Sequence, residues 1–304
     1  MTDTDFFAID TFRAPVAVEG EDRQAFLQGL ISNDTRRVTE TQAIFSALLT
    51  PQGKFLHDFS LAEVEGRYLL DPEVERRADL IKRLSMYRLR SKVKVVDAAD
   101  WSVLVFAGPG ALAKLRLAPT AGLARPLAGG VVFVDPRLPA LGARAFLPRA
   151  AAEAAAQEAG FSAAPITEYE RLRVALGVPS GSRDLVPDKG ILLENGFEEL
   201  HAIDWDKGCY MGQELTARTR YRGLVRKRLL PVEISGEAPA PGAALMLGEV
   251  EAGELRSLGP DGKTGLAMVR LEHLARARAE GLTAGAATLR ANVPDWMRLP
   301  EQVG

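Results

Sequence analysis

Cysteine is almost absent: the chain of 304 residues holds one, Cys209. That excludes an internal disulfide, and it excludes a cysteine-rich metal cage within one chain. Histidine is nearly as scarce. His57, His201 and His273 make up the full set of three, and His201, eight residues upstream of Cys209, has no second thiol to complete a site. No metal site is therefore expected. Long apolar runs are missing as well. None approaches the ~18 residues that suggest a membrane span, so no membrane partner is expected. Neither sign of charge dominates. Lys and Arg number 38 against 40 Asp and Glu, for a net charge of −2. Any affinity for nucleic acid or anionic lipid must then come from a local patch. The N-terminal MTDTDFFAID is acidic and lacks the basic and apolar regions of a secretory signal, which makes a reduced, cytoplasmic compartment the expectation.

What is present suits a globular chain: 47% hydrophobic and 26% charged residues, enough for two or three domains. AVEGEDRQAFLQGLISNDTRRV reads as a strand end, a turn and a short amphipathic helix stopped at Asn33-Asp34. AIFSALLTPQGKFLHDFSLAEVEGRYLLD reads as three strands, with hairpins at Pro51-Gln52-Gly53 and Glu65-Gly66. PEVERRADLIKRLSMYRLR opens on a proline and suits a helix, and KVKVVDAADWSVLVFAGP reads as two strands around a tight turn. This order predicts helices on one face of a largely antiparallel sheet, an α+β arrangement. From about 110 to 160 the composition turns to Ala, Leu, Gly and Pro; AAAEAAAQEAG predicts a helix ending at Gly160 with a bland, exposed face. A further helix runs through Val174, followed by a long segment whose Leu192, Leu193, Phe197, Ile203 and Trp205 argue for packing. Trp101 is expected in a core, while Trp205 suits either a core or a pocket wall. After Arg226 short strands alternate with Gly/Pro turns, the pattern of a small C-terminal β-barrel.

The chemistry gathers in DWDKGCYMGQEL, residues 204–215. Gly208 and Gly212 allow sharp turns and close approach. Gly212-Gln-Glu-Leu suits a helix start, whose free N–H groups attract an anion or a carbonyl edge. Gln213 and Glu214 together can read an amide or amidine edge of a heterocycle. Lys207 and the helix start would both lower the pKa of a nearby thiol, making Cys209 a candidate thiolate or labile metal ligand. The plain alternative is that Cys209 is packing and Lys207 a surface charge. Downstream, Arg218, Arg220, Arg222, Arg226, Lys227 and Arg228 fall within eleven residues that contain no acid. Such a cluster suits a phosphate, a polyglutamate tail or an RNA backbone, or else a solvated edge whose acids come from other segments.

KGCYMGQE resembles the signature Lys-Gly-Cys-x-x-Gly-Gln-Glu of the YgfZ family, folate-binding relatives of the glycine-cleavage T protein (aminomethyltransferase). FLQGLISND, LLTPQGKFLHDFSL, RLRVALGVP and the barrel-like tail fit in order, over most of the chain, most weakly from about 105 to 165. T proteins usually have Phe near Cys209 and Arg or Lys near Gln213, so the motif points to the YgfZ branch. The resemblance implies the three-lobed cloverleaf of the T-protein type. Residues 1–225 would form a folate-binding region of two interleaved α+β lobes, the second roughly 50–165, and residues 226–304 the barrel. It further implies a tetrahydrofolate pocket and a role in building or maintaining iron–sulfur enzymes.

On that resemblance Asp58 is the aspartate near folate N10 that assists methylene transfer, where a carboxylate can place a charge or hydrogen bond. Cys209, Asp58 and Lys207 are then the catalytic candidates. Asp58, Trp205, Gly208, Tyr210, Gly212, Gln213, Glu214, Arg218, Arg222 and Arg226 are the candidates for holding tetrahydrofolate or a one-carbon derivative. Two positions depart from the T-protein pattern. His57 stands where a second aspartate is usual, and reads by itself as a solvent-facing strand histidine. Ala175 stands where a glutamate would hold the pterin amidine edge, leaving Glu194 and Glu214 as the nearest acceptors in sequence. Three functions stay open: a folate-dependent accessory factor for iron–sulfur proteins and their assembly machinery; an aminomethyltransferase or demethylase; and a non-catalytic scaffold binding protein or RNA through Arg218–Arg228. A single cysteine cannot hold a stable cluster alone, though two chains could bridge one transiently.

Overall fold

In the computed structural model, which describes residues 4–300, the short alternating runs near the N-terminus form β1 (Phe6–Ile9) and β2 (Val16–Glu19). The chain then enters α1 (Arg23–Gln28), which buries Phe26 and Leu27. β3 (Ile44–Leu49), β4 (Phe55–Val64) and β5 (Arg67–Leu70) follow as the expected hairpins. Their turns rely on Gly53 and Gly66, whose φ angles of 79° and 75° are left-handed. α2 (Arg77–Tyr87) buries Leu80 and Leu84, one turn apart.

β6 (Lys94–Asp97) and β7 (Trp101–Ala107) are the strands expected of KVKVVDAADWSVLVFAGP, but they do not pair. β6 pairs with β2 and β7 with β1, so the tight turn carries the chain from one sheet to another. Trp101 and Val103 are buried against residues of both sheets, which is the packing gain that favours crossing over closing a hairpin.

The Ala/Gly-rich stretch supplies more than the one helix expected of it. α3 (Ala111–Lys114), β8 (Ala124–Leu127), β9 (Gly130–Val134) and β10 (Ala143–Pro148) precede α4 (Ala152–Glu158). α4 buries Ala152, Ala155 and Ala156, so its small residues pack closely instead of lying wholly exposed. β11 (Ser162–Ala163) and α5 (Ile166–Ala175) complete this region. The strands form a six-stranded sheet of order β11-β1-β7-β10-β9-β8 and a five-stranded sheet of order β3-β4-β5-β2-β6.

Beyond α5 come α6 (Gly181–Asp184), a 3₁₀ turn at Leu192–Asn195 and α7 (Gln213–Tyr221). The strands β12 (Lys227–Ser235), β13 (Ala244–Leu247), β14 (Val250–Leu258) and β15 (Thr264–Arg270) follow. After α8 (Leu274–Glu280), β16 (Leu282–Ala284) and β17 (Ala287–Ala291) close a six-stranded barrel of order β12-β15-β14-β13-β16-β17. Its interior is filled by Leu230, Val232, Leu245, Leu255, Val269 and Leu289 among others, the inward half of each alternating strand.

The chain divides into two compact units. One holds Met1–Leu49, Leu56–Tyr169 and Leu200–Met211, with both open sheets; the other holds Thr50–Phe55, Glu170–Glu199 and Gly212–Gly304, with the barrel. The boundary falls inside the cysteine motif, between Met211 and Gly212.

Candidate functional site

In the first unit the motif loop is tied to the end of α1. Lys207 sends its Nζ to the carbonyl oxygens of Gln28 and Ile31, each at 2.6 Å. These carbonyls lie at and just beyond a helix C-terminus, where unpaired acceptors and the helix dipole favour a cation. Gln28 answers by donating from Nε2 to the Lys207 carbonyl at 3.0 Å, while its Oε1 accepts from the Thr35 amide and hydroxyl. The Met211 amide bonds to the Gly29 carbonyl and the Asp204 amide to that of Ser32, both at 3.1 Å. FLQGLISND and DWDKGCYM are thus one hydrogen-bonded unit.

Burial pulls the Lys207 pKa down to about 8, and its ammonium lies 4.9 Å from the Tyr210 ring centroid. Lys207 is expected to activate the thiol; its two ammonium hydrogen bonds run inward, to backbone carbonyls. Cys209 itself is exposed. Gly208 before it has φ 91° with open space around its Cα, which lets the chain turn outward. Trp205 is half-buried and Tyr210 buried in the same loop.

Asp58 and His57 sit on β4, both buried. Asp58 accepts from Arg13 at 2.9 and 3.2 Å on its two oxygens. Arg13 also donates to the Asp71 carbonyl, and nearby Arg144 joins Asp10 and Asp71 at 2.8 Å each. Arg137 pairs with Asp135 at 2.7 Å and donates to the Tyr169 hydroxyl at 2.9 Å. The Asp58 carboxylate, expected near folate N10, is one end of a buried ion pair. The solvent-facing reading of His57 is corrected. It is 1% exposed, its Nε2 meets Asp79 at 2.9 Å, and its Nδ1 is buried without a hydrogen-bond partner. Burial, with Arg76 nearby, drives its pKa down to about 4.

In the second unit Gly212, at φ 81°, precedes α7 as expected of a helix start. Gln213 is half-buried; Glu214 is exposed and paired with Arg218 one turn on. The basic cluster proves largely supplied with acids. Arg220 meets Glu198 at 3.1 Å, Lys227 meets Glu194 at 3.6 Å, and Arg228 meets Glu199 at 2.5 Å. Arg222 and Arg226 have no ion pair among the described residues, and both line a cavity of about 800 Å³ with Lys227, Arg256 and Arg270. A smaller cavity of about 300 Å³ shares Glu194, Lys227 and Arg256 as walls and adds Asn195. Burial raises the Glu194 pKa, and Asn195 Oδ1 is buried without a partner.

Of the candidates for holding the cofactor, the larger cavity thus brings together Arg222 and Arg226. Arg256, Arg270 and Asn195 were not foreseen. The two arginines come from β14 and β15, far along the chain, and the fold brings them to the cavity that Arg222 and Arg226 line. Gln28 was legible only as part of FLQGLISND; nothing in its residue type marked it as the partner of Lys207. Among the described residues no group of three or more His, Cys, Asp or Glu is placed to hold a metal ion.

Comparison with known proteins places this geometry in a family. Residues 226–299 match the model of the CAF17 C-terminal β-barrel domain. The fold is that of the glycine-cleavage T protein: the structure of aminomethyltransferase T from Bartonella henselae aligns with a TM-score of 0.77 over 97% of this chain and 86% of that one, at 17% identity. Mixed α/β sheets and a closed six-stranded barrel accompany that likeness. Among relatives, the human iron–sulfur cluster assembly factor IBA57, mitochondrial, is 31% identical over 312 residues, covering 93% of this chain and 83% of that protein. The mouse factor of the same name shows the same identity and coverage. The Neurospora crassa IBA57 homolog is 32% identical over 246 residues, and the match spans only 54% of that longer protein. The cytoplasmic expectation is overturned here, because these relatives are named mitochondrial. Their names also read IBA57, where the motif had suggested YgfZ. The chain belongs to the IBA57 family of iron–sulfur cluster assembly factors.

Proposed function

We infer that this chain is an accessory factor in the assembly or repair of iron–sulfur proteins, acting through the thiol of Cys209, with tetrahydrofolate or a one-carbon derivative as cofactor. Membership of the IBA57 family supports the iron–sulfur part. The observation that carries the rest is the display of Cys209: an exposed thiol beside an open glycine, on a loop fixed to α1 through Lys207 and Gln28. One thiol supplies one ligand, so a second molecule must supply the remaining ligands of any cluster held there. The cluster is cargo in this reading, and its donors and recipients are the partners. KGCYMGQE supports assigning the chain to the YgfZ branch as part of the same proposal.

The donor set of the barrel unit fits a folate. Arg222 and Arg226 suit the carboxylates of a glutamate tail. Glu194 and Asn195 Oδ1 are acceptors for the N–H groups of a pterin edge, the part that Ala175 cannot play. Bound tetrahydrofolate would supply one-carbon carrier chemistry. An aminomethyltransferase reading has less support, since both Asp58 oxygens already accept from Arg13. The test is deletion of the gene in cells that carry it, with an iron–sulfur dehydratase and a cluster-free enzyme assayed side by side. Selective loss of the dehydratase, restored by the chain, is expected; equal activities with and without the gene would refute the proposal.

A further inference from the structure

The segment from α2 into β6 has no part in that function, yet it is the most solvent-committed apolar surface of the first unit. Ser85 to Arg90 are exposed without interruption. They include Met86 at 65%, Tyr87 at 39% and Leu89 at 88% exposure. Leu89 also adopts φ 42°, a left-handed conformation that a branched residue enters only against strain, and the result holds an apolar side chain in water. Folding alone gives no reason for that arrangement.

Charge runs one way along the same segment. Between Leu80 and Val96 the sequence has Lys82, Arg83, Arg88, Arg90, Lys92 and Lys94 and no acidic residue. Arg83 pairs with Asp79 and Lys92 with Glu21, which leaves Lys82, Arg88, Arg90 and Lys94 without an ion pair among the described residues. In a chain of net charge −2 this is a local concentration of unmatched positive charge. β6, which carries Lys94, is the outer strand of its sheet, bonded to β2 on one side.

We propose that Met86, Tyr87, Leu89, Arg88 and Arg90 form a docking surface for a partner protein that presents carboxylates around an apolar patch. Tyr, Met and Arg are the residue types that anchor protein interfaces, where burial of the apolar chains and bidentate Arg–carboxylate pairs act together. The edge of β6 adds backbone groups that a second polypeptide can bond. A lipid surface would use the cations but leave that backbone unmatched. A second copy of this segment would bring like charges together. The surface is independent of the thiol and folate readings.

The experiment places a photo-reactive benzoylphenylalanine at position 89 of the full chain, expressed in its own cells, with the same group at exposed Val250 as control. The expected result is a covalent adduct specific to position 89. Peptide sequencing should identify a single acidic protein, and the yield should fall about tenfold in Arg88→Glu/Arg90→Glu. The purified protein so identified should then bind the wild-type chain and lose affinity to a similar degree for the charge-reversed one. No adduct, an adduct of equal yield after charge reversal, a mass gain corresponding to phospholipid, or a dimer of this chain would each overturn the proposal.

Discussion

His57 and Asp58 are neighbours on β4, and burial treats their charges in opposite ways. Asp58 keeps its charge because Arg13 occupies both oxygens; His57 is held neutral, with its pKa near 4. An ordinary histidine titrates near 6.5, so between about pH 6.5 and 4 the unfolded chain binds a proton that the folded chain refuses. Stability should therefore fall as pH drops through that window, by up to about 3 kcal/mol from this group. Urea midpoints measured from pH 7 to 4 should show the slope, and His57→Gln should flatten it. Asp58→Asn should cost about 3 kcal/mol by leaving Arg13 buried and half-paired, so its denaturation midpoint will move whether or not a ligand is present. That makes it a poor reporter of folate.

At the scale of elements, the motif loop and α1 stand or fall together. Lys207→Met removes the cation from the Gln28 and Ile31 carbonyls and should destabilise the first unit by roughly 1–3 kcal/mol. Limited proteolysis should find the 204–211 loop cut faster in that variant, with Lys207→Arg less affected; equal cleavage rates would argue against the clamp. The hairpins around Gly53 and Gly66, the helix after Gly212 and the C-terminal barrel were all legible in the sequence, because glycine placement and strand alternation are local signals. The crossing from β6 to β7 was not. The turn looks the same whether the strands pair with each other or with distant partners, and only long-range burial of Trp101 and Val103 decides. The alanine-rich stretch hid three strands for a related reason: Val131, Val132, Phe133 and Phe146 are core residues set among small ones, with too little polar alternation to announce a strand.

For the whole molecule, net charge said nothing of ligands, while its distribution says more. The cluster from Arg218 to Arg228 looked like one patch in sequence, but the fold hands Arg218, Arg220, Lys227 and Arg228 to glutamates and leaves Arg222 and Arg226 facing a cavity with Arg256 and Arg270. Arg222→Glu with Arg226→Glu should weaken polyglutamylated tetrahydrofolate by about tenfold or more, and the monoglutamate less. Anaerobic calorimetry reads both, and equal losses would detach these arginines from the tail. The cysteine motif was the clearest functional signal in the sequence, whereas the compartment was misjudged from an acidic N-terminus, a feature that speaks only to secretion.

Whether the Cys209 thiol itself is needed can be read in cells. The most direct measurement is the activity of an iron–sulfur dehydratase in cells whose only copy of this chain is Cys209→Ser, at matched protein level. Serine is nearly isosteric and the site is exposed, so the denaturation midpoint should stay within about 0.5 kcal/mol of wild type. Dehydratase activity as low as in the deletion strain is expected. Full activity with the serine variant would contradict action through the thiol.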